Sequence, residues 1–339
     1  MGNSIYWDES RDGFYEVFYI TVNHRKSGKA FWLRSTLLKT AAPDEQRFGG
    51  LWLAAFDANK DKPNLALHKY FPRSECEFSP GAMGLKVADS MLSDSSFKAD
   101  FEAEGYRLSW DLNWQKHPEN LFLVPDAIRK TPIPKADLCI PNVDVAVSGH
   151  ITVDGERYDF DGDPGGQSHH WGRHYAHGWL WGHCNDFEGK PGTWLEMLSV
   201  DLFGVGKLRQ PLTMLAAETE SGRFELLSPL DLLHSRAEYA DNRWLVSARK
   251  GKRRIEAEFT APDENFVAFP YVSPHNEIYT CHNSCMCGLV LRIYEKSGTG
   301  WKKIEELSSS GAHAEFCTPQ KTTPSSFRFG GLLGVGMLG

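Results

Sequence analysis

The sequence predicts an all-β protein made of two consecutive antiparallel β-barrels, and three observations carry this. Short apolar strings separated by Gly, Pro, Asn and Asp recur from end to end. Sustained helical periodicity is nearly absent; residues 229–234 offer at most one short turn of helix. The length, 339 residues, exceeds what one ordinary core serves.

Taken in order, residues 14–22, 30–38, 50–57, 65–71, 106–113 and 151–160 have the bulky, alternating character of strands. Asp154-Gly155 supplies the positive φ values of a tight hairpin turn within the last of them. Residues 179–187, 193–202, 211–219, 244–248, 254–259 and 289–294 continue the pattern. Between the two sets stand the Pro-rich text Thr131-Pro132-Ile133-Pro134 and Ile140-Pro141, and a glycine break, Asp161-Gly162-Asp163-Pro164-Gly165-Gly166. One more hairpin follows the prolines, so the boundary is expected at the glycines, giving domains 1–165 and 166–339. Each side then holds about eight or more strands, enough to close a barrel and remove exposed edges. Residues 330–339 are apolar but glycine-rich, which suits a tail or an edge strand.

With 41% hydrophobic and 24% charged residues the chain has the composition of a soluble globular protein. A net charge of −7, with the densest basic run only at 249–254, gives no electrostatic reason to bind nucleic acid. No apolar run is long enough to span a bilayer. The amino terminus lacks the pattern of a secretory signal, and Tyr6 stands where a myristoylation signal has Ser or Thr. Seven scattered cysteines, an odd number, suit reduced thiols in the cytoplasm. Cys281, Cys285 and Cys287 with His282 lack a paired C-x-x-C set, and no metal is expected there.

Strand periodicity selects the chemistry. Glu16 shares a strand face with Phe14, Phe18, Ile20 and Val22; Arg34 shares one with Trp32, Thr36 and Leu38. A buried lone charge is costly, so these two are expected to meet as a structural ion pair inside the first barrel. The densest group follows the glycines: five of the 13 histidines and three of the 11 tryptophans lie between residues 167 and 183. From His177 onward the text alternates. His177, Trp179, Trp181 and His183 fall on one face, and Gly178, Leu180 and Gly182 on the other. Such a strand can face a ligand with indoles, which stabilise cations, and imidazoles, which exchange protons. Packing alone, or a metal on His170 and His174 or on His174 and His177, would use residues of the same stretch; the glycines oppose the helix that a metal site would need. Glu196 lies among Trp194, Leu198 and Val200. It is either a protonated general acid or the partner of a cation such as Arg173.

Three stretches resemble the superfamily of the carotenoid hydratases (hydroxyneurosporene synthases) and the tocopherol cyclase-like proteins. They are Phe14-Tyr15-Glu16-Val17-Phe18-Tyr19 with Ala30-Phe31-Trp32-Leu33-Arg34, then His170-Trp171-Gly172, then Trp179-Leu180-Trp181-Gly182-His183-Cys184-Asn185-Asp186-Phe187. Pro211-Leu212-Thr213 and Gly311-Ala312-His313-Ala314-Glu315-Phe316 extend the likeness towards the C-terminus. The resemblance implies tandem lipocalin-like barrels with an apolar pocket within or between them, and no metal or organic cofactor. It implies chemistry on isoprenoids or polyketides: hydration, chromanol closure or pericyclic closure. The hydratase branch resembles Asp-His-x-Trp-Gly where this chain has Ser168-His169-His170-Trp171-Gly172. Ser168 cannot protonate an olefin, which leaves His169, His170 or Glu196 for that role.

The expectation is therefore a cyclase or isomerase for a small apolar substrate held at the domain interface. His170 or Glu196 would be the proton donor, and Trp171, His177, Trp179, Trp181 and His183 would bind the substrate. A carrier that releases its ligand unchanged is the alternative, since the fold does not distinguish the two.

Overall fold

The computed structural model describes residues 2–8, 10, 13–41, 47–131, 136–201, 211–319 and 321–330. They fall into two compact units. The first comprises Met1–Phe122, Thr131–Tyr175 and Tyr271–Ile278; the second comprises Leu123–Lys130, Ala176–Pro270 and Tyr279–Gly339.

The first sheet contains β1 (Phe14–His24), β2 (Lys29–Lys39), β3 (Gly49–Asp57), β4 (Leu65–Phe71), β5 (Cys76–Phe78), β6 (Leu85–Val87), β7 (Ser90–Leu92), β8 (Ser96–Ala103), β9 (Tyr106–Trp114), β10 (Leu121–Phe122), β11 (Ala136–Val153) and β12 (Glu156–Gly172). The second contains β13 (Gly178–Cys184), β14 (Trp194–Asp201), β15 (Leu212–Glu218), β16 (Phe224–Leu226), β17 (Ser235–Ala240), β18 (Arg243–Lys250), β19 (Arg253–Thr260), β20 (Val267–Val272), β21 (Ile278–Ser297), β22 (Gly300–Thr318) and β23 (Phe329–Gly330). Their orders match. The first runs β4-β3-β2-β1-β12-β11-β9-β8-β7-β6-β5, the second β16-β15-β14-β13-β22-β21-β19-β18-β17-β23. Each sheet is antiparallel and curls into a lipocalin-like barrel around its own apolar cluster.

The boundary expected at residue 165 is corrected: the units part between Tyr175 and Ala176. The glycine run is the middle of β12, not a linker, and Gly165 pairs with Val22 on one side and Val145 on the other. A side chain there would bring a Cβ within 2.6 Å of Val147 and 2.8 Å of the Thr21 carbonyl oxygen, so glycine is needed for close packing of backbones. Ile140-Pro141 likewise lies inside β11, at a register shift between Cys139 and Asn142 that absorbs the missing N–H. Asp154 and Gly155 (φ 49° and 83°) form the expected hairpin turn. Of the terminal stretch, Phe329–Gly330 pairs with β17; residues 331–339, like Pro132 to Pro134, lie outside the described residues.

The first core is formed by Phe14, Phe18, Ile20 and Val22 of β1 with Phe31, Leu33 and Leu37 of β2, joined by Ile5 and Trp7 from the segment before β1. The second core takes Leu180 and Cys184 of β13, leaving Trp179, Trp181 and His183 on the other face of that strand. Gly182 points inwards: a Cβ there would lie 2.7 Å from Trp244 and 2.9 Å from Phe259. These rings, with Leu180, Tyr239 and Phe266, leave a void of about 10 Å³, room for one water at most.

Candidate active site

On β13, Trp181 and His183 sit two residues apart, so they share a face, and His183 stands opposite Glu196 of β14. The Trp181 indole N–H donates to Glu196 Oε1 at 2.5 Å, and Glu196 Oε2 lies 2.9 Å from His183 Nδ1. Glu196 is fully buried and His183 nearly so. Burial pushes the Glu196 carboxyl above its ordinary pKa, against the opposing pull of His183 and Trp181. His313 of β22 faces His183 across the next strand pair, with ring centroids 5.5 Å apart. Burial first, and then His183, hold His313 well below the usual imidazole range, so it is neutral. Further along, the Trp179 N–H donates to Glu315 Oε1 at 2.9 Å and the Asn283 amide to Oε2 at 3.3 Å.

The proton positions follow from these contacts. Glu196 Oε1 is taken as an acceptor, so a proton on this carboxyl sits on Oε2 and is donated to His183 Nδ1. His183 then carries its own hydrogen on Nε2, an atom with no hydrogen-bond partner among the described residues. The pair is a two-link hydrogen-bonded chain ending in a buried ring N–H without a partner among the described residues.

The structure brings Trp179, Trp181, His183 and Glu196 onto one sheet face. It places His177 elsewhere, as an exposed residue in the bend before β13, because the strand starts only at Gly178. Trp171 lies in the first unit, stacked on Tyr6 at 4.2 Å and beside His169 at 4.6 Å. His170 Nε2 lies 2.8 Å from the Tyr15 hydroxyl. Burial, aided by Arg34 and His169, lowers its pKa to about 3, so near neutrality it holds no imidazolium proton to give. The carboxyl that burial keeps above its ordinary pKa is Glu196, in contact with His183, whereas His170 contacts the Tyr15 hydroxyl.

The Glu16–Arg34 ion pair is also corrected. Glu16 stands opposite Leu37, whereas Arg34 stands opposite Tyr19; the odd offset puts them on different faces of the sheet. Glu16 turns to the core, where Oε1 accepts from the Tyr6 backbone N–H at 2.7 Å and lies 2.9 Å from His169 Nε2. Arg34 lies over Tyr271 at 4.1 Å and Trp52 at 5.0 Å, a cation held by ring faces.

His313, Glu315 and Asn283 were not singled out as site residues from the sequence. The signal for the first two was present as alternation: His313 and Glu315 interleave with Ala312, Ala314 and Phe316, the same two-faced pattern as in β13. Among the described residues no group of three or more His, Cys, Asp or Glu side chains could hold a metal ion. No helix among them is long and apolar enough to cross a membrane.

Two lipocalin-like barrels of shared strand order, one bearing a buried carboxyl–imidazole–indole cluster, define the class of this protein. Residues 134–317, more than half of the chain, match the tocopherol cyclase-like family, and the chain belongs to it. The matched stretch contains Trp181, His183, Glu196 and His313 and leaves Glu16 and Arg34 outside. A chloroplastic protein of Oryza sativa subsp. japonica named as a tocopherol cyclase is 24% identical over 157 residues, 46% of this chain. That match spans only 33% of the relative's own length. Among solved structures, CghA with Sch210972 superposes with a TM-score of 0.56 at 12% identity, covering 92% of this chain and 89% of that one. A protein assigned as AttH from Nitrosomonas europaea gives 0.52 at 12% identity, covering 93% and 97%.

Proposed function

We propose that this protein is an acid-catalysed cyclase or isomerase of an apolar isoprenoid- or polyketide-like chain, with Glu196 and His183 as its proton-donating pair. The observation that carries this reading is the buried, unpartnered Nε2 of His183, backed by a carboxyl whose two oxygens are both engaged. The substrate π bond takes the Nε2 hydrogen and forms a new C–H bond. As it does, the Glu196 Oε2 proton passes to Nδ1. The adjacent carbon becomes a cation, which the Trp181 and Trp179 ring faces stabilise. A lone pair on a substrate oxygen closes the ring, and the proton it sheds returns through Nε2 to restore the pair. The balance is an isomerisation; capture by water instead makes it a hydration. Holding a flexible chain in its reactive fold contributes about 7–11 kcal/mol of barrier reduction, and the positioned acid about 10²–10⁴-fold. Membership of a family that takes its name from a cyclase supports the reading.

The test is turnover of a panel of polyprenyl phenols and linear polyenes in D₂O, read by mass spectrometry. One solvent deuterium should appear on carbon in the product, and Glu196→Gln should slow its formation by about 10²–10⁴-fold. Unchanged rates in both Glu196→Gln and His183→Gln would sink the assignment. A co-purifying ligand returned unchanged at every pH would mark a carrier instead.

A further inference from the structure

The second unit carries a surface that its chemistry does not use. A short 3₁₀ turn, Asp231–His234, is anchored by buried Leu232, while Leu230 and Leu233 on either side are 74% and 77% exposed. Three residues apart on such a turn, the two leucines lie on the same side. Lys250, at the end of β18, binds this turn through Asp231 Oδ2 at 2.7 Å and also reaches the Glu225 carbonyl oxygen at 3.0 Å. It thereby fixes the leucines beside the β18–β19 hairpin tip. That tip carries Arg249, Lys250, Lys252, Arg253 and Arg254. The neighbouring β21–β22 tip is tied to it by the Lys296 N–H donating to the Lys252 carbonyl oxygen at 2.8 Å, and adds Lys296, Lys302, Lys303 and the indole of Trp301. Across residues 249–254 and 295–303 stand eight cations and one carboxylate, Glu295, in a chain of net charge −7. The carboxylates around them are engaged by named partners: Glu256 with Arg254 (3.5 Å) and Tyr294 (2.9 Å), and Glu306 with Arg292 and Lys303 (2.8 Å each).

We propose that these two hairpin tips and the leucine turn dock the protein on the surface of an anionic lipid bilayer. Exposed leucines and an indole enter the headgroup boundary, while lysines and arginines meet the lipid phosphates. A phosphate-backbone site would use the cations and have no use for protruding leucines, and a dimer contact would have no use for a surplus of like charge. The proposal stands independently of the reaction: docking can hold for a carrier as well as for an enzyme.

The experiment is flotation of the full chain with phosphatidylcholine vesicles, with and without phosphatidylglycerol, at low and high salt. Binding is expected only with phosphatidylglycerol and should weaken as salt rises. Arg249→Ala and Lys252→Ala should each weaken it about fivefold, and Leu230→Ser/Leu233→Ser by about tenfold or more. Because both leucines are exposed, the double variant should keep its folded circular dichroism. Failure to float with anionic vesicles overturns the proposal, as does parental binding by the leucine variant. Tighter binding to duplex DNA than to the vesicles, unaffected by the leucine changes, would also overturn it.

Discussion

The two barrels share a strand order and differ in where they keep charge. The first unit buries titratable groups on both faces of its leading hairpin: Glu16 with His169 in the core, and Arg34 among rings on the other face. The second keeps its core at the leading hairpin apolar, with Leu180, Cys184, Leu195 and Met197, and sets its buried acid, Glu196, wholly on the opposite face. Arg34 and Glu196 sit on corresponding strands, β2 and β14, yet have opposite charge and opposite solutions to burial. Flat π faces hold the cation, and an indole N–H with an imidazole holds the carboxyl. One topology thus supports either sign of charge, provided the neighbouring strand supplies matching partners. Both units keep a buried carboxyl–imidazole contact whose outer ring nitrogen has no hydrogen-bond partner among the described residues, His169 Nδ1 in the first and His183 Nε2 in the second.

The largest effect expected from breaking this contrast is in the first core. Glu16→Ala or His169→Ala breaks a fully buried pair and should cost about 3–5 kcal/mol in denaturant unfolding, whereas Glu16→Leu/His169→Phe should recover part of it, the Tyr6 N–H still lacking its acceptor. A double variant no more stable than the singles would show that the pair does not act as a unit. Next is the pH response. The unfolded chain takes a proton on His170 below its ordinary pKa near 6.5, but the native residue does so only near 3. Stability should therefore fall as pH drops through that window, and His170→Gln should flatten the slope. Glu196 acts in the opposite sense. Its native pKa is raised, so the native state holds a proton that the unfolded state has released. Stability should fall as pH rises above the ordinary carboxyl value of 4.5, until the native group also ionises, and Glu196→Gln should remove that limb in a urea series across pH. Gly182→Ala should cost about 1–3 kcal/mol through displacement of Trp244 and Phe259, read as a shift in urea midpoint. Smallest is Arg34→Met, at about 1–2 kcal/mol if the ring contacts govern; no change would remove Arg34 from the comparison.

The all-β class and the face shared by Trp179, Trp181 and His183 were legible because both rest on the two-residue period of a strand; that Glu196 of the next strand joins them depends on register. Pairing partners were not. Glu16 and Arg34 each looked anomalous on its own strand, but their separation depends on register, which is set by the turn between β1 and β2 and by burial on both faces. The long strands β11, β12, β21 and β22 were also hidden. Their prolines, glycines and serines look like breaks in one dimension and become bulges once a neighbouring strand continues the ladder. In β8 the alternation is complete, yet two of its four buried positions are alanines, Ala99 and Ala103, too small to stand out as core.

Gly182 has a consequence for the way such a barrel can diversify. Because two large rings occupy the space a side chain would need, the core side of β13 is packed solid at this position. Residues on the far side of β13 can then be exchanged without disturbing the rings that pack behind it.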